Sequence, residues 1–174
     1  MDLRLSRESQ RFHVPLRTGE TLTVAALRPS DEPRLRAWFQ RVSPDSRYQR
    51  FHVHVTDLTD EDWRYLTSVD GVDHVALVAS LAGEPVAVAR LIALPGDAEL
   101  AFLVDDAHQR RGIGSVLRDA LIAIARERGI YRLHAHVLPD NVAIRRLLST
   151  PSLHVVGDRG HVIELVLAAH GNYS

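Results

Sequence analysis

The sequence predicts an α/β fold: a mixed, mostly antiparallel sheet flanked by helices. Three observations carry this. Several short runs are rich in Val, Leu, Ile and Thr, as pleated half-buried strands require. One long stretch instead repeats its apolar residues at three- and four-residue spacing, the period of a helix with one buried face. The order of runs, β then two or three helices, βββ, α, β, α, ββ, mixes hairpins with crossovers, which neither an all-helical nor an all-β fold does.

The elements follow in order. Met1 to Gly19 is polar and weakly patterned and is expected as an N-terminal arm, with one domain over residues 20–174. Thr21 to Leu27 reads as a strand. Ser30 is placed to cap a helix running to about Val42, with Pro33 in its first turn. Ser43-Pro44-Asp45 opens a second helix through Tyr48 and Phe51. Thr59 with Asp62 three residues on has the spacing of a capping box, opening a short helix over Trp63 and Leu66. His74 to Ser80 and Val86 to Ala93 are strands joined across Leu81-Ala82-Gly83-Glu84-Pro85, and Pro95-Gly96-Asp97 turns into a third strand, Glu99 to Val104. Gly112 to Arg128 is a helix with Ile113, Val116, Leu117, Ala120, Leu121 and Ile124 on one face, stopped by Gly129. A strand over Tyr131 to Leu138, a helix over Asn141 to Ser149 and a hairpin of Leu153 to Val156 with Val162 to Leu167 close the chain.

Composition excludes several functions. The chain of 174 residues has no cysteine, so disulfides, thiolate metal sites and a cysteine nucleophile are ruled out. Its 21 basic residues are all arginine, so no lysine is present for a Schiff base, a Walker loop or self-acetylation. A net charge of −1 draws it to neither nucleic acid nor an anionic membrane. No apolar run reaches the ~20 residues a membrane span needs. A cytoplasmic protein, monomer or homodimer, is expected.

The chemistry concentrates at the junction from Leu103 to Ser115. A strand ends, an arginine-bearing loop follows, and a helix starts on paired glycines. A helix N-terminus offers unpaired N–H groups and partial positive charge, which together bind phosphate. Gly112 and Gly114 let the backbone approach such a ligand without an intervening Cβ, and Arg110 and Arg111 add forked donors. The same glycines also suit tight packing of the helix on the sheet.

Gln109-Arg110-Arg111-Gly112-Ile113-Gly114 resembles the Gln/Arg-x-x-Gly-x-Gly/Ala signature of GNAT N-acetyltransferases, and the element order resembles that family from Thr21 to Leu167. The resemblance implies a sheet splayed after the fourth strand, here Glu99 to Val104, with acetyl-CoA wedged in the opening as acyl donor. It implies that main-chain groups of Leu103 and Val104 hold the pantetheine arm and acetyl carbonyl. The N–H groups of Gln109, Arg110, Arg111, Gly112, Ile113, Gly114 and Ser115 would hold the pyrophosphate. Asn141 resembles the asparagine with which many members touch the pantetheine, although it also suits a helix N-cap. Seven residues on, where many members have a tyrosine that protonates the leaving thiolate, this chain has Leu148.

Transfer to an amine needs a base. Glu99 begins the splayed strand, on one face with Ala101 and Leu103 and opposite Leu100 and Phe102. A glutamate at this place is the base in several GNAT enzymes. Ala98-Glu99-Leu100-Ala101-Phe102 is similar to the stretch in bacterial Pat-type protein lysine acetyltransferases. Without cysteine, direct attack in a ternary complex is expected. Ser43 to Phe51 is also similar to a Pat-type stretch near the acceptor opening. It reads equally as an amphipathic helix packing Tyr48 and Phe51 on the core with its arginines solvated. The resemblance implies an amine acceptor, a protein lysine or a small molecule. None of the nucleotide-sensing or ligase domains that accompany Pat-type domains is seen, so regulation by a fused domain is not expected. A non-catalytic acyl-CoA-binding regulatory module on the same fold is the alternative. His52/His54 and His134/His136 each share a strand face, but no third ligand follows from spacing, so no metal site is expected. His134 or His136 could instead line the cleft beside Glu99, since their strand lies across the splay, and His136 is a secondary candidate for proton transfer.

Overall fold

The structure is a computed structural model that describes residues 11–167. Eight strands form one sheet: β1 (Arg11–Pro15), β2 (Thr21–Ala26), β3 (His74–Leu81), β4 (Glu84–Leu94), β5 (Asp97–Val104), β6 (Arg132–His136), β7 (Leu153–Asp158) and β8 (Val162–Leu167). Their spatial order is β1-β2-β3-β4-β5-β6-β8-β7. Every neighbouring pair is antiparallel except β5 and β6, which run parallel. Five helices flank the sheet: α1 (Glu32–Phe39), α2 (Pro44–Phe51), α3 (Asp60–Thr67), α4 (Ile113–Glu127) and α5 (Val142–Leu148).

Local chemistry accounts for most boundaries. Ala82 and Gly83 both adopt positive φ (47° and 86°), so β3 and β4 meet in a two-residue turn that matches strand twist, rather than the five-residue loop expected. Pro85 lies inside β4, tolerated beside a register shift at Ala79/Ser80. The Thr59–Asp62 capping box forms in both directions, and Ser43 Oγ accepts from Ser46 N–H at 3.1 Å. α4 ends in a Schellman arrangement, with Ile130 N–H donating to Ala125 O (2.9 Å) and Gly129 N–H to Arg126 O (3.0 Å).

Some expectations shift. Ser30 caps no helix; Pro29–Asp31 is a 3₁₀ turn and α1 begins at Glu32. Residues 11–15 of the expected arm form edge strand β1, and residues 1–10 lie outside the described range. The splay does follow the fourth strand counted from Thr21, which the added edge strand makes β5.

The sheet separates two apolar layers. α4 and α5 cover Leu77, Ala89, Leu91, Leu100, Phe102, Leu133 and Leu165 on one face. On the other, α1 to α3 bury Trp38, Phe39 and Trp63 against Ala76, Val78, Val88 and Leu103. The arginines of α2 are not simply solvated. Arg47 is buried and donates to Val42 O (3.0 Å), Gln40 O (3.1 Å) and Thr56 O, with its guanidinium 4.7 Å from the Phe39 ring centre. It therefore satisfies carbonyls that the loops around α2 turn inward. Arg47→Met should cost about 3 kcal/mol and lower Tm by roughly 10 °C, because those carbonyls lose their donors. A melt within ~2 °C of the parent would show that water replaces the guanidinium.

Candidate functional site

The parallel join of β5 and β6 is short. Only Ala98↔Leu133 and Glu99↔His134 pair, after which the strands diverge. The opening is a cleft of about 170 Å³ lined from both layers, by Leu100 and Phe102, Glu99 and His136, Gln49 to Phe51 of α2 with His52 after it, and Asn141. It passes through the sheet.

Main-chain direction along β5 follows from its register with β4. Asp105 N–H donates to Val86 O at 2.9 Å, while Ala93 N–H turns away to Asp73 O. In an antiparallel ladder such pairs alternate. Leu103, Ala101 and Glu99 therefore direct their main-chain groups at β4, whereas Leu100, Phe102 and Val104 direct theirs into the opening. Of the two positions whose main chain is expected to hold the ligand, Val104 directs its groups into the opening and Leu103 directs its own at β4. Phe102 shares the direction of Val104; sequence alternation gives side-chain faces but not the phase of the hydrogen-bond ladder.

Beyond β5, Asp105 Oδ1 accepts from Ala107 N–H (3.0 Å) and shapes a 3₁₀ turn over Asp106–His108. Arg110 and Gly112 then adopt left-handed conformations, φ 60° and 85°. For arginine this is strained, the kind of strain that clusters at ligand sites. The first helical hydrogen bond of α4 runs from Val116 N–H to Gly112 O (3.1 Å), so the N–H groups of Ile113, Gly114 and Ser115 have no partner within the helix. The two glycines differ. A Cβ on Gly112 would meet no protein atom within 4 Å, whereas one on Gly114 would touch Leu147 Cδ2 at 3.4 Å. Gly112 supplies the left-handed turn, and Gly114 also serves the packing of α4 on α5.

The arginines and Gln109 also divide their roles. Arg111 pairs with Glu20 and donates to Thr18 Oγ1 at 3.2 Å, which anchors the loop to the β1–β2 connection. Arg110 is exposed. Gln109 N–H closes the 3₁₀ turn on Asp106 O (3.4 Å), and its side-chain amide donates to Val104 O and Ser46 Oγ, both at 3.1 Å. Asp106 in turn accepts from Ser43 N–H (3.0 Å), Ser43 Oγ and Ser46 Oγ (both 2.8 Å). The Ser43–Phe51 stretch thus ties α2 to the glycine loop. Burial alone would raise the Asp106 carboxyl, but the Ser43 and Ser46 bonds outweigh it and hold it below the ordinary range. A depressed folded-state value means that its contribution is present at neutral pH and lost as pH falls through that value. Asp106→Asn should therefore lower the urea midpoint at pH 7 more than at pH 3; an equal loss at both would mean the carboxylate charge is not what the serines hold.

Asn141 caps α5, its Oδ1 accepting from Ile144 N–H at 3.1 Å, which leaves its amide NH₂ to donate on the cleft side. Leu148 is fully buried in the core, so the place of a phenol is filled by packing.

Glu99 lies at the other mouth of the cleft, on the α2 side. Its Oε2 is 3.9 Å from His134 Nε2, and His134 Nδ1 is 3.5 Å from Asp97 Oδ2. His136 brings a third donor atom, all three lying within 4.8 Å of one another. Spacing along the chain offered the two histidines no third group; pairing β5 with β6 supplies one. Arg50 also lines the cleft. Burial lowers its pKa, and the Glu99 charge opposes that. Behind it, buried Arg90 is pushed down to about 9 by burial and then by Arg50, and hydrogen-bonds His74 Nε2 at 3.0 Å. His52, at the left-handed end of α2, is lowered by burial and then by His136.

Among the described residues no helix is long and apolar enough to cross a membrane. The sequence profile of the Acetyltransferase (GNAT) family matches residues 33–149. The acetyltransferase Pat of Mycolicibacterium smegmatis is 36% identical over 140 residues, 78% of this chain but 42% of that protein. Among solved structures, the GNAT domain of S. lividans PAT superposes with a TM-score of 0.80 at 36% identity, covering 89% of this chain and 94% of that one. A cAMP-binding acyltransferase from Mycobacterium smegmatis superposes at 0.63 with 32% identity, covering 92% of this chain and 48% of its own. The chain thus spans under half the length of two of these three relatives.

Proposed function

The chain belongs to the GNAT acetyltransferase family, and from that membership we propose that it moves an acetyl group from acetyl-CoA to an amine by direct attack in a ternary complex. One observation carries the reading. The strand edge of β5 is open beyond Glu99, a carboxylate stands at one end of it, and past its other end α4 begins with three N–H groups unpaired within the helix.

Each part has a role. The N–H groups of Ile113, Gly114 and Ser115, with Arg110, would hold the pyrophosphate of acetyl-CoA. Main-chain groups of Phe102 and Val104 would bind the pantetheine arm as a neighbouring strand would. Asn141 Nδ2 would donate to the same arm. Acetyl-CoA supplies an activated acyl group. The amine enters from the α2 side, and Glu99 takes its proton directly or through water. With no cysteine in the chain, no acyl-thiol on the protein intervenes. With Leu148 in the core, the departing thiolate takes its proton from solvent. The Pat-type likeness favours a protein lysine as acceptor, with a small amine as the other candidate.

The buried Leu148 favours a second reading, a module that binds acyl-CoA without turning it over. Turnover against a panel of amines separates the two. The donor site itself is tested by thermal shift with acetyl-CoA and free CoA. At a hundredfold excess over Kd, linkage gives about 2.7 kcal/mol, a rise of several degrees. No shift at millimolar ligand would reduce the glycine junction to packing.

A further inference from the structure

We propose that Glu99, His134 and His136 form a binding site for a divalent transition metal of the Zn²⁺ class, and that occupancy switches the acetyl transfer off. Binding stands on geometry alone; the inhibitory half rests on Glu99 being the base.

Three features make the cluster a metal site rather than a chance meeting. First, its frame is fixed by backbone. Glu99 and His134 are register partners on parallel strands, and His136, two residues on, lies on the same face. Second, the donor set is right. Two imidazoles and one carboxylate hold zinc where a position is kept open, and no thiol competes anywhere in the chain. Donors at ~2.1 Å from a tetrahedral ion lie about 3.4 Å apart, so the present separations of up to 4.8 Å close by small side-chain rotations. Third, an outer carboxylate is in place. Asp97 faces His134 Nδ1 at 3.5 Å, which turns Nε2 toward Glu99, as second-sphere carboxylates do for zinc-bound histidine. The His134 and Glu99 side chains are 15% and 28% exposed, so both are partly sheltered while exposed His136 leaves an entry path. Glu164, the cross-strand partner of His134, pairs instead with Arg159 at 2.8 Å and stays outside the set.

A metal here would engage the carboxylate that removes the acceptor's proton. It would not touch the phosphate cradle at the other mouth. Inhibition should therefore lower kcat and leave acetyl-CoA affinity within twofold.

The test is a titration of chelator-treated full chain with Co²⁺, read by its visible d–d absorption. The expected result is a band that saturates at one equivalent and is displaced by one equivalent of Zn²⁺. His136→Ala and Asp97→Asn should each weaken Co²⁺ by ~10-fold or more, and His134→Ala should remove the band. His136 is exposed, so its variant tests the site without disturbing the core. Absence of a saturable band, or a band that survives in both histidine variants, would overturn the proposal. A protein that binds acetyl-CoA yet shows no Co²⁺ band keeps its proposed function and loses the metal site. A saturable site whose Zn²⁺ leaves turnover unchanged keeps the metal and removes Glu99 as base.

Discussion

Gly112→Asp is expected to abolish measurable acetyl-CoA binding in calorimetry while the protein still folds. The substitution forces a side chain into φ 85°, a strain of about 1–3 kcal/mol, but its Cβ meets no protein atom. The larger effect is electrostatic. A carboxylate at the N-cap of α4 sits where the free N–H groups and Arg110 would receive the pyrophosphate, and it repels that charge. Gly112→Ala carries the strain without the charge and should keep most of the affinity. Gly114→Asp should also fail to bind, but its Cβ already reaches contact with Leu147, so the atoms beyond it also crowd the α4–α5 packing. Normal affinity in both Asp variants would remove the phosphate site.

Glu99→Gln is expected to lower kcat by ~10²-fold or more with acetyl-CoA affinity unchanged. The amide keeps shape and removes only the proton acceptor. The groups proposed to hold acetyl-CoA, at Phe102, Val104 and Ile113 to Ser115, lie further along β5 and past its end. A kcat within threefold of the parent would move the base elsewhere, with His136 next in line.

Sequence reading reached most of this architecture because the signals were local. The Thr59–Asp62 capping box, the Ser43 cap and the apolar period of α4 depend on neighbours within one turn of helix. So does the glycine loop. What escaped was set by distant partners. β1 is a short polar edge strand whose identity depends on pairing with β2. Arg47 looked solvent-facing because nothing in its own helix announces the carbonyls of Gln40 and Thr56. That Phe102 rather than Leu103 turns its main chain to the opening is decided by the hydrogen-bond phase of β5 against β4. The expected fold placed His134 or His136 across the splay from Glu99; that all three gather their donor atoms together depends on the parallel register, which no spacing along the chain encodes.

The brevity of the β5–β6 join has a mechanical consequence. β6, β7, β8 and α5 are held to the rest of the sheet through two residue pairs on one side and by α4 packing across the gap. A sheet normally continues itself by offering each strand another strand. Here the β5 edge beyond those two pairs has no strand beside it. On the proposed function the acyl donor would fill that place, so ligand affinity and the rigidity of β6, β7, β8 and α5 would be linked: a ligand in the gap would stiffen them, and a change that loosens them would weaken its grip.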